Sequence, residues 1–192
     1  MRWRMIKQAE ISPAFFIFAA FWLLVLPLRL ILAAMGAAMI HELCHLLAIR
    51  MTGGEILGLR IGAGGVALET GPMTAVQEWL CAMAGPVGSL LLAVLYPWMP
   101  WVALCGLIQG VYNMLPLYPL DGGRCLRCVL ELLLPVNWVS IWPWMQKGIW
   151  VVMCLAVLWL GFALDFGILP ILLCGTALVR KIPCKEGKLG VQ

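Results

Sequence analysis

Five long apolar stretches restrict what this sequence can fold into. They occupy residues 13–28, 30–50, 76–96, 101–115 and 148–179. A transmembrane helix needs roughly 20 mostly apolar residues, and fewer where the segment is short or re-entrant. The last stretch is too long for one span and contains LDFG at 164–167, so we divide it at Asp165 into spans 148–163 and 166–179. The sequence therefore predicts about six transmembrane helices.

The composition excludes a water-soluble domain. Hydrophobic residues make up 64% of the 192 residues, charged residues make up 11%, and the mean hydropathy is +1.00. A soluble domain carries about 45–50% apolar and about 25% charged residues. We therefore predict an all-α polytopic membrane protein that forms one integral-membrane domain over residues 1–192. We expect the first span to be retained, because no small-residue cleavage site follows it.

The distribution of basic residues predicts the orientation in the membrane. Lys and Arg are enriched in the cytoplasmic loops of membrane proteins. If the N-terminus is cytoplasmic, twelve of the 13 Lys and Arg residues lie in cytoplasmic segments, and only Arg29 lies outside. We therefore expect an integral protein of the bacterial plasma membrane with both termini in the cytoplasm. The net charge of +4 reflects this topology and contact with anionic lipid, and it does not indicate nucleic-acid binding.

A glycine-rich segment separates the second and third spans. The sequence TGGEILGLRIGAGGVALETG at 52–71 is too short and too polar to cross a membrane. Residues 55–61 and 65–69 have the character of two short strands on either side of the GAGG turn. We predict a small β-hairpin at the cytoplasmic membrane surface.

The second span, AAMIHELCHLLAIR at 37–50, contains three protonatable side chains. His41, Glu42 and His45 fit the pattern HExxH, and the chain has no other histidine. Positions i and i+4 share one face of a helix, so both imidazoles can bind one zinc ion. Glu42 would act as general base toward a water whose pKa zinc lowers to about 7. Ionisable groups at this depth cost at least about 2.5–3.5 kcal/mol, which favours function over a chance match or a hydrogen-bonded histidine pair.

Catalytic zinc usually takes three protein ligands, and the best third candidate is Asp121. It lies in YNMLPLYPLDGGR, after the fourth span, where Pro116 and Pro119 must end the helix. The break would allow the carboxylate to turn back toward the histidines. Taken alone, Asp121 fits equally well as the cap of a helix at 122–134. Together with HExxH, the ligand role is favoured.

The two motifs resemble those of the site-2 protease family of intramembrane zinc metalloproteases. NMLPLYPLDG matches that family's N-x-x-P-x-x-x-L-D-G pattern. The resemblance implies a zinc metalloendopeptidase in which His41, His45 and Asp121 bind Zn2+ and Glu42 is the general base. It also implies that Asn113 lines the catalytic cleft and helps to hold the substrate or the oxyanion.

The short, six-span organisation most resembles the branch that includes the sporulation sigma-factor-processing proteases. That resemblance implies regulated intramembrane proteolysis, in which a membrane-tethered protein is cut within or near its transmembrane segment on the cytoplasmic side. The implied partners are a membrane-anchored protein substrate, membrane lipid and a regulatory membrane protein, with no nucleic acid. The hairpin resembles the family's membrane-associated strands, whose edge would hold an unwound substrate by strand addition.

Two further features carry no assigned role in the sequence. AGPVGS at 84–89 keeps Gly85 and Pro86 of a family glycine-proline motif but has Ser89 where Asn is common. Local helix packing accounts for this segment. Cys125 and Cys128 form a single CxxC, which lacks the second pair that a zinc ribbon requires.

Two other functions fit parts of the pattern. Histidines and carboxylates inside a membrane also line the ion path of a zinc transporter. A transporter would place ligands at several depths, whereas this sequence has one compact group. A non-catalytic membrane scaffold is a further reading, although every residue of both motifs is present. Metal-dependent peptide cleavage would separate the protease from both alternatives.

Overall fold

A computed structural model describes residues 8–62, 65–134 and 136–163. The helices in that part of the chain are α1 Pro13–Val25, α2 Leu28–Met51, α3 Ala75–Leu91, α4 Pro100–Asn113, α5 Asp121–Leu133 and α6 Trp138–Ala163. A 3-10 turn, Leu92–Leu95, extends α3. The strands are β1 Gln8–Ile11, β2 Ile56–Gly62 and β3 Gly65–Thr70. The mainly helical fold class is as predicted.

The chain divides into two compact units, residues 1–142 and 143–192. The first unit contains the sheet, helices α1 to α5 and both sequence motifs. Within it, α3 packs against α2, α4 and α5, and α2 also packs against α4. The second unit is described as far as residue 163 and consists there of the greater part of α6. A single integral-membrane domain stays a prediction.

Three of the described helical segments are long and apolar enough to cross a membrane. They are Leu28–Met51, Ala75–Leu95 and Trp138–Ala163. Helices α1 and α4 have 13 and 14 residues, fewer than the roughly 20 of a full span. The described residues therefore account for three long spans, and the count of six stays a prediction.

Helix α6 begins ten residues before the predicted fifth span, at Trp138 instead of Gly148. The predicted span began at Gly148, directly after the charged residue Lys147. In the structure the Lys147 ammonium lies 4.7 Å from the centre of the Trp144 ring, and this cation–π contact accommodates the charge within the helix. The predicted sixth span at 166–179 and the break at Asp165 lie outside the described residues.

The distribution of side chains around α2 is the reverse of that in a helix of a water-soluble protein. Its buried residues are Ala33, Ala37, His41, His45 and Ile49. Its exposed large side chains are Leu28, Leu32, Met35, Met39, Leu43, Leu47 and Met51. Apart from Ile49, small and polar side chains thus face the protein and bulky apolar side chains face outward, as expected where the solvent is hydrocarbon. The chain is an integral membrane protein.

The predicted hairpin is present and belongs to a larger sheet. Strands β2 and β3 pair antiparallel, with Leu59 opposite Leu68. Strand β1 pairs in parallel with β2, with Ala9 opposite Leu59, which gives the strand order β1-β2-β3. Strand β1 was not predicted, because its four residues show too little alternation to indicate a strand.

Hydrogen bonds fix the beginning of α3 to the end of α2. Thr74 and Gln77 form a capping box: Thr74 N–H donates to Gln77 Oε1 at 2.9 Å, and Gln77 N–H donates to Thr74 Oγ1 at 3.3 Å. The Gln77 side-chain amide also donates to the Thr52 carbonyl, 3.0 Å away, at the end of α2. These bonds set the relative position of the two helices close to the membrane surface.

The break after α4 lies where the prolines predict it. Helix α4 ends at Asn113 and α5 begins at Asp121, within one residue of the predicted helix at 122–134. The intervening loop, which contains a cis Tyr118–Pro119 peptide, folds back over the first turn of α5. A Cβ atom at Gly122 would overlap the Met114 carbonyl, and one at Gly123 would overlap the backbone of Leu117. The Gly-Gly pair therefore permits this close approach.

Gly106→Ala is expected to destabilise the protein by forcing α4 away from α3. A Cβ at this position would lie 2.8 Å from the Ser89 carbonyl oxygen, and overpacking a core costs about 1–3 kcal/mol. Thermal unfolding in detergent should show a lower Tm. Gly36→Ala on α2 is the matched control, because nothing lies within 4 Å of its Cβ position and Ala is a better helix former by about 1 kcal/mol. Equal Tm shifts in the two variants would contradict the α3–α4 contact.

Candidate metal centre

Three predicted ligands meet in the interior of the first unit. His41 and His45 lie on the buried face of α2, and their Nε2 atoms are 3.2 Å apart. Asp121, the first residue of α5, places Oδ2 at 3.1 Å from each of these nitrogens. The exposed fractions of the three residues are 3%, 7% and 8%. Among the described residues, this is the one group of His, Cys, Asp or Glu that could hold a metal ion.

The spacing of the three atoms fits zinc. They form a nearly equilateral triangle with sides of 3.1–3.2 Å. Tetrahedral zinc with bonds of about 2.0–2.1 Å requires ligand atoms about 3.3 Å apart. Two histidines and a carboxylate are also a known ligand set for catalytic zinc, which keeps a fourth position open.

The second nitrogen of each imidazole is hydrogen-bonded to α3. His45 Nδ1 donates to the Cys81 carbonyl at 2.7 Å, and His41 Nδ1 lies 2.8 Å from Ser89 Oγ. A carbonyl oxygen only accepts, so the single proton of a neutral His45 is on Nδ1 and its Nε2 presents a lone pair to the cluster. Partners of this kind orient metal-binding imidazoles and fix their tautomer.

Asp121 is a ligand candidate and not the cap of α5. The N-cap position is Leu120, and no side chain caps the helix there. Asp121 lies inside the first turn, and its Oδ2 faces the imidazoles of His41 and His45. Of the two roles that the sequence left open, the geometry supports the ligand role.

Helix α3 approaches α2 so closely that Gly85 has no room for a side chain. A Cβ atom there would overlap the ring of His45, and one at Gly88 would overlap Cys44 Sγ. The glycine-proline segment therefore packs directly against a metal-ligand candidate. The sequence indicated local helix packing for this segment, and in the structure it packs against the His45 imidazole.

A charged cluster fastens α5 to α3. Arg127 Nη2 contacts both carboxylate oxygens of Glu78, which lies in the first turn of α3. Arg124 Nε lies 3.6 Å from Glu78 Oε1, and Arg124 Nη1 lies 3.9 Å from Asp121 Oδ1. Charge-assisted bonds to partly buried groups are stronger than neutral ones. The cluster thus holds the first turns of α5 where Asp121 can reach the histidines.

Two further predicted site residues lie outside the triangle of ligand atoms. Glu42 is half-buried and interacts electrostatically with His45, His41 and Asp121. Asn113, the last residue of α4, is half-buried, and its Nδ2 donates to the Gln109 carbonyl of its own helix at 3.1 Å. The proton-transfer role of Glu42 and the substrate role of Asn113 stay predictions.

The centre lies well inside the membrane span. His45 and His41 precede the end of α2 at Met51 by six and ten residues. At 1.5 Å per residue these intervals correspond to about 9 and about 15 Å. The hydrocarbon region is about 30 Å thick, so surrounding helices must shield the polar groups from lipid.

The CxxC cysteines do not belong to this group of ligands. Burial raises the pKa of the Cys125 thiol to about 12 and that of Cys128 to about 11. Both side chains therefore stay protonated near neutral pH, whereas reactive or metal-binding cysteines are thiolates. Both side chains are buried in α5, as expected of cysteines that serve packing.

Known proteins similar to this chain are described as zinc metalloproteases, in agreement with the geometry of the centre. No family model matches the chain. A Mycobacterium tuberculosis protein described as "Putative zinc metalloprotease Rip3" is 31% identical over 127 aligned residues, which cover 52% of this chain and 32% of the relative. Zinc metalloprotease MJ0392 of Methanocaldococcus jannaschii is 28% identical over 110 residues, which cover 50% and 32%. The chain thus spans about a third of the length of the curated relatives it matches.

The solved structure of the site-2 protease from Methanocaldococcus jannaschii is similar over almost the whole chain. Its TM-score is 0.65 at 20% identity, and the match covers 91% of this chain and 89% of that one. The chain has the site-2 protease fold. The predicted resemblance to the site-2 protease family is confirmed. In this fold, HExxH lies within α2 and the LDG motif leads into α5.

Gly85→Ala is expected to weaken zinc binding by more than about tenfold, because the added methyl group would occupy space that the His45 ring needs. Zinc retained by the detergent-purified protein, measured by mass spectrometry against a chelator series, provides the test. Gly36→Ala is again the control, and it should retain its zinc. Full zinc affinity in a folded Gly85→Ala variant would show that the α2–α3 approach is not as close as described.

Proposed function

We propose that this protein is a zinc-dependent intramembrane endopeptidase that cuts a membrane-tethered protein within or near its transmembrane segment. The observation that carries the proposal is the triangle of His41 Nε2, His45 Nε2 and Asp121 Oδ2 inside a membrane span, with Glu42 beside it. The site-2 protease fold and the zinc metalloprotease names of the relatives support the same activity.

The ligand residues would bind Zn2+ through the two imidazoles of α2 and the carboxylate of α5. Bound there, zinc supplies Lewis-acid polarisation of the scissile carbonyl and makes a water molecule acidic enough to attack at neutral pH. The imidazoles are held from behind by α3, and Asp121 is held by the charged cluster of Glu78 and the α5 arginines. The protein thereby presents all three donors to one point without rearrangement.

Glu42 is proposed to move protons during the reaction. It follows His41 on α2, and its carboxylate would take the proton of the attacking water and pass it to the leaving amine. Asn113 is proposed to contact the substrate. Its amide nitrogen carries two hydrogens, one of which goes to the Gln109 carbonyl, so the second can donate to a substrate carbonyl or to the oxyanion.

A substrate helix must unwind before its peptide carbonyls can reach the centre, because each carbonyl of an α-helix accepts a hydrogen bond from a backbone N–H of the same helix. We therefore expect helix-breaking residues near the cut. Strand β3 is at one edge of the described sheet and would pair with the unwound segment by strand addition. This scheme implies a membrane-anchored protein substrate and surrounding lipid as partners, and the family resemblance adds a regulatory membrane protein.

Basic residues support cleavage on the cytoplasmic side. Arg50 lies at the end of α2 that is nearer to His45, and Arg124 and Arg127 lie on α5 just after Asp121. Such residues mark the cytoplasmic side of a membrane protein. Water would reach the centre from that face.

The first test is Glu42→Gln, which keeps the size of the side chain but removes the base. We expect cleavage of a single-span model substrate with Gly, Pro or Asn in its membrane segment to fall by about 10²–10⁴-fold, with zinc content unchanged. The measurement pairs cleavage in detergent with metal analysis of the same preparation. Wild-type turnover by Glu42→Gln would exclude Glu42 as general base.

A second test addresses the ligand set through Asp121→Ala. Loss of one of three ligands should weaken zinc binding by at least about 100-fold, more than the 10–100-fold typical of an outer partner. Glu131→Ala is the control, because it removes another carboxylate from α5 without touching the cluster. If Asp121→Ala bound zinc as the wild type does, the third ligand would lie elsewhere. Zinc flux into proteoliposomes without peptide cleavage would favour a transporter.

A further inference from the structure

Ser89 is a polar residue in a fully buried position of α3. Its exposed fraction is 0%, and Ala82 and Gly85 are its buried neighbours on the same helix. A buried hydroxyl without a partner costs about 1–3 kcal/mol, so packing alone would favour Ala there. The hydroxyl lies 2.8 Å from Nδ1 of His41, 48 residues away along the chain. The buried hydroxyl therefore has a hydrogen-bond partner, which accounts for a polar residue at this position.

We propose that Ser89 is a positioning residue for zinc binding, whose hydroxyl accepts the Nδ1–H of His41 and thereby aims the Nε2 lone pair at the metal. The inference rests on the proposed function, because it assigns a role within the same metal centre. Ser89 does not bind the ion, and it acts through His41.

The argument begins with the single proton of a neutral imidazole. Nε2 of His41 can bind a metal only when it is unprotonated, so the proton must be on Nδ1. His41 is only 3% exposed, so an Nδ1–H group there depends on a protein acceptor. Ser89 Oγ, at 2.8 Å, is that acceptor.

The two histidines differ in how they are held. His45 donates to the backbone carbonyl of Cys81, which no substitution removes, whereas His41 depends on a side chain. Among the described residues, Ser89 is therefore the one outer partner of the two imidazoles that a point mutation can delete. Its effect on metal affinity can be measured with all three ligands still in place.

Helix α4 prevents Ser89 from moving away. The backbone of α4 approaches so closely at Gly106 that a Cβ atom there would be 2.8 Å from the Ser89 carbonyl oxygen. The turn of α3 that carries Ser89 is thus held between α2 and α4. The hydroxyl is fixed at hydrogen-bonding distance from His41 by the packing of three helices.

The test compares Ser89→Ala with the wild-type chain in detergent. We expect the zinc Kd, measured by competition with a chelator of known affinity, to rise by about 10–100-fold. Cys128→Ala is the matched control, since it also deletes one γ atom from a side chain with 0% exposure. That variant should lower Tm with a zinc Kd within about twofold of wild type. Ser89→Cys, with a weakly accepting thiol, should give an intermediate Kd.

Histidine NMR supplies a readout that a packing defect alone would not move. The chain has two histidines, so a ¹⁵N-histidine-labelled, zinc-loaded sample gives two sets of ring signals. We expect Ser89→Ala to change the Nδ1–H signal of His41 and speed its exchange with solvent, and to leave that of His45 in place. Cys128→Ala should change neither signal.

The outcomes separate this proposal from the one it rests on. Wild-type protein that binds no zinc would overturn the proposed function itself. Wild type that binds zinc, together with a Ser89→Ala variant of equal affinity, would overturn the role of Ser89 and leave the metal centre standing. If Ser89→Ala does not fold, Ser89→Cys decides by the same measurement. A Kd raised several-fold supports the proposal, and an unchanged Kd overturns it.

Discussion

Close contact between α3 and α2 sets the position of both histidine rings. At residue 85 the two helices leave no room for a methyl group, so the His45 ring lies directly on the backbone of α3. On either side of that point, the Cys81 carbonyl and the Ser89 hydroxyl contact the two Nδ1 atoms. The direction of each Nε2 is therefore decided by α3, which carries none of the ligands. In hydrocarbon, where water cannot solvate a misplaced donor, such positioning must come from the protein.

The same helix also brings in the carboxylate. Glu78 in the first turn of α3 contacts Arg127 and lies near Arg124, and these residues hold α5 against it. The two carboxylate oxygens of Asp121 then have different neighbours: Oδ2 faces the imidazoles, and Oδ1 lies 3.9 Å from Arg124 Nη1. Because one helix orients all three donors, a small displacement of α3 would disturb the whole centre, and the glycines at its contacts keep that displacement small.

The sequence predicts those parts that depend on local spacing. The four-residue interval of His41 and His45, the alternation of β2 and β3, and the proline break before Asp121 are readable in short windows. Strand β1 was missed because its four residues pair in parallel with a distant strand, and Ser89 because its partner is 48 residues away. Helix α6 begins before the predicted span and runs through Lys147, whose ammonium lies over the Trp144 ring. The strand and the hydrogen bond that the sequence did not predict depend on contacts between residues that are distant along the chain.

The triangle of ligands joins distant parts of the chain. His45 and Asp121 are 76 residues apart in sequence and lie on different helices. An ion shared between them would act as a cross-link, and its binding energy would add to the free energy of unfolding in proportion to the logarithm of free zinc above Kd. A cell short of zinc would then hold a less stable protein, in which helix packing and the Glu78 cluster alone would keep α5 against α3.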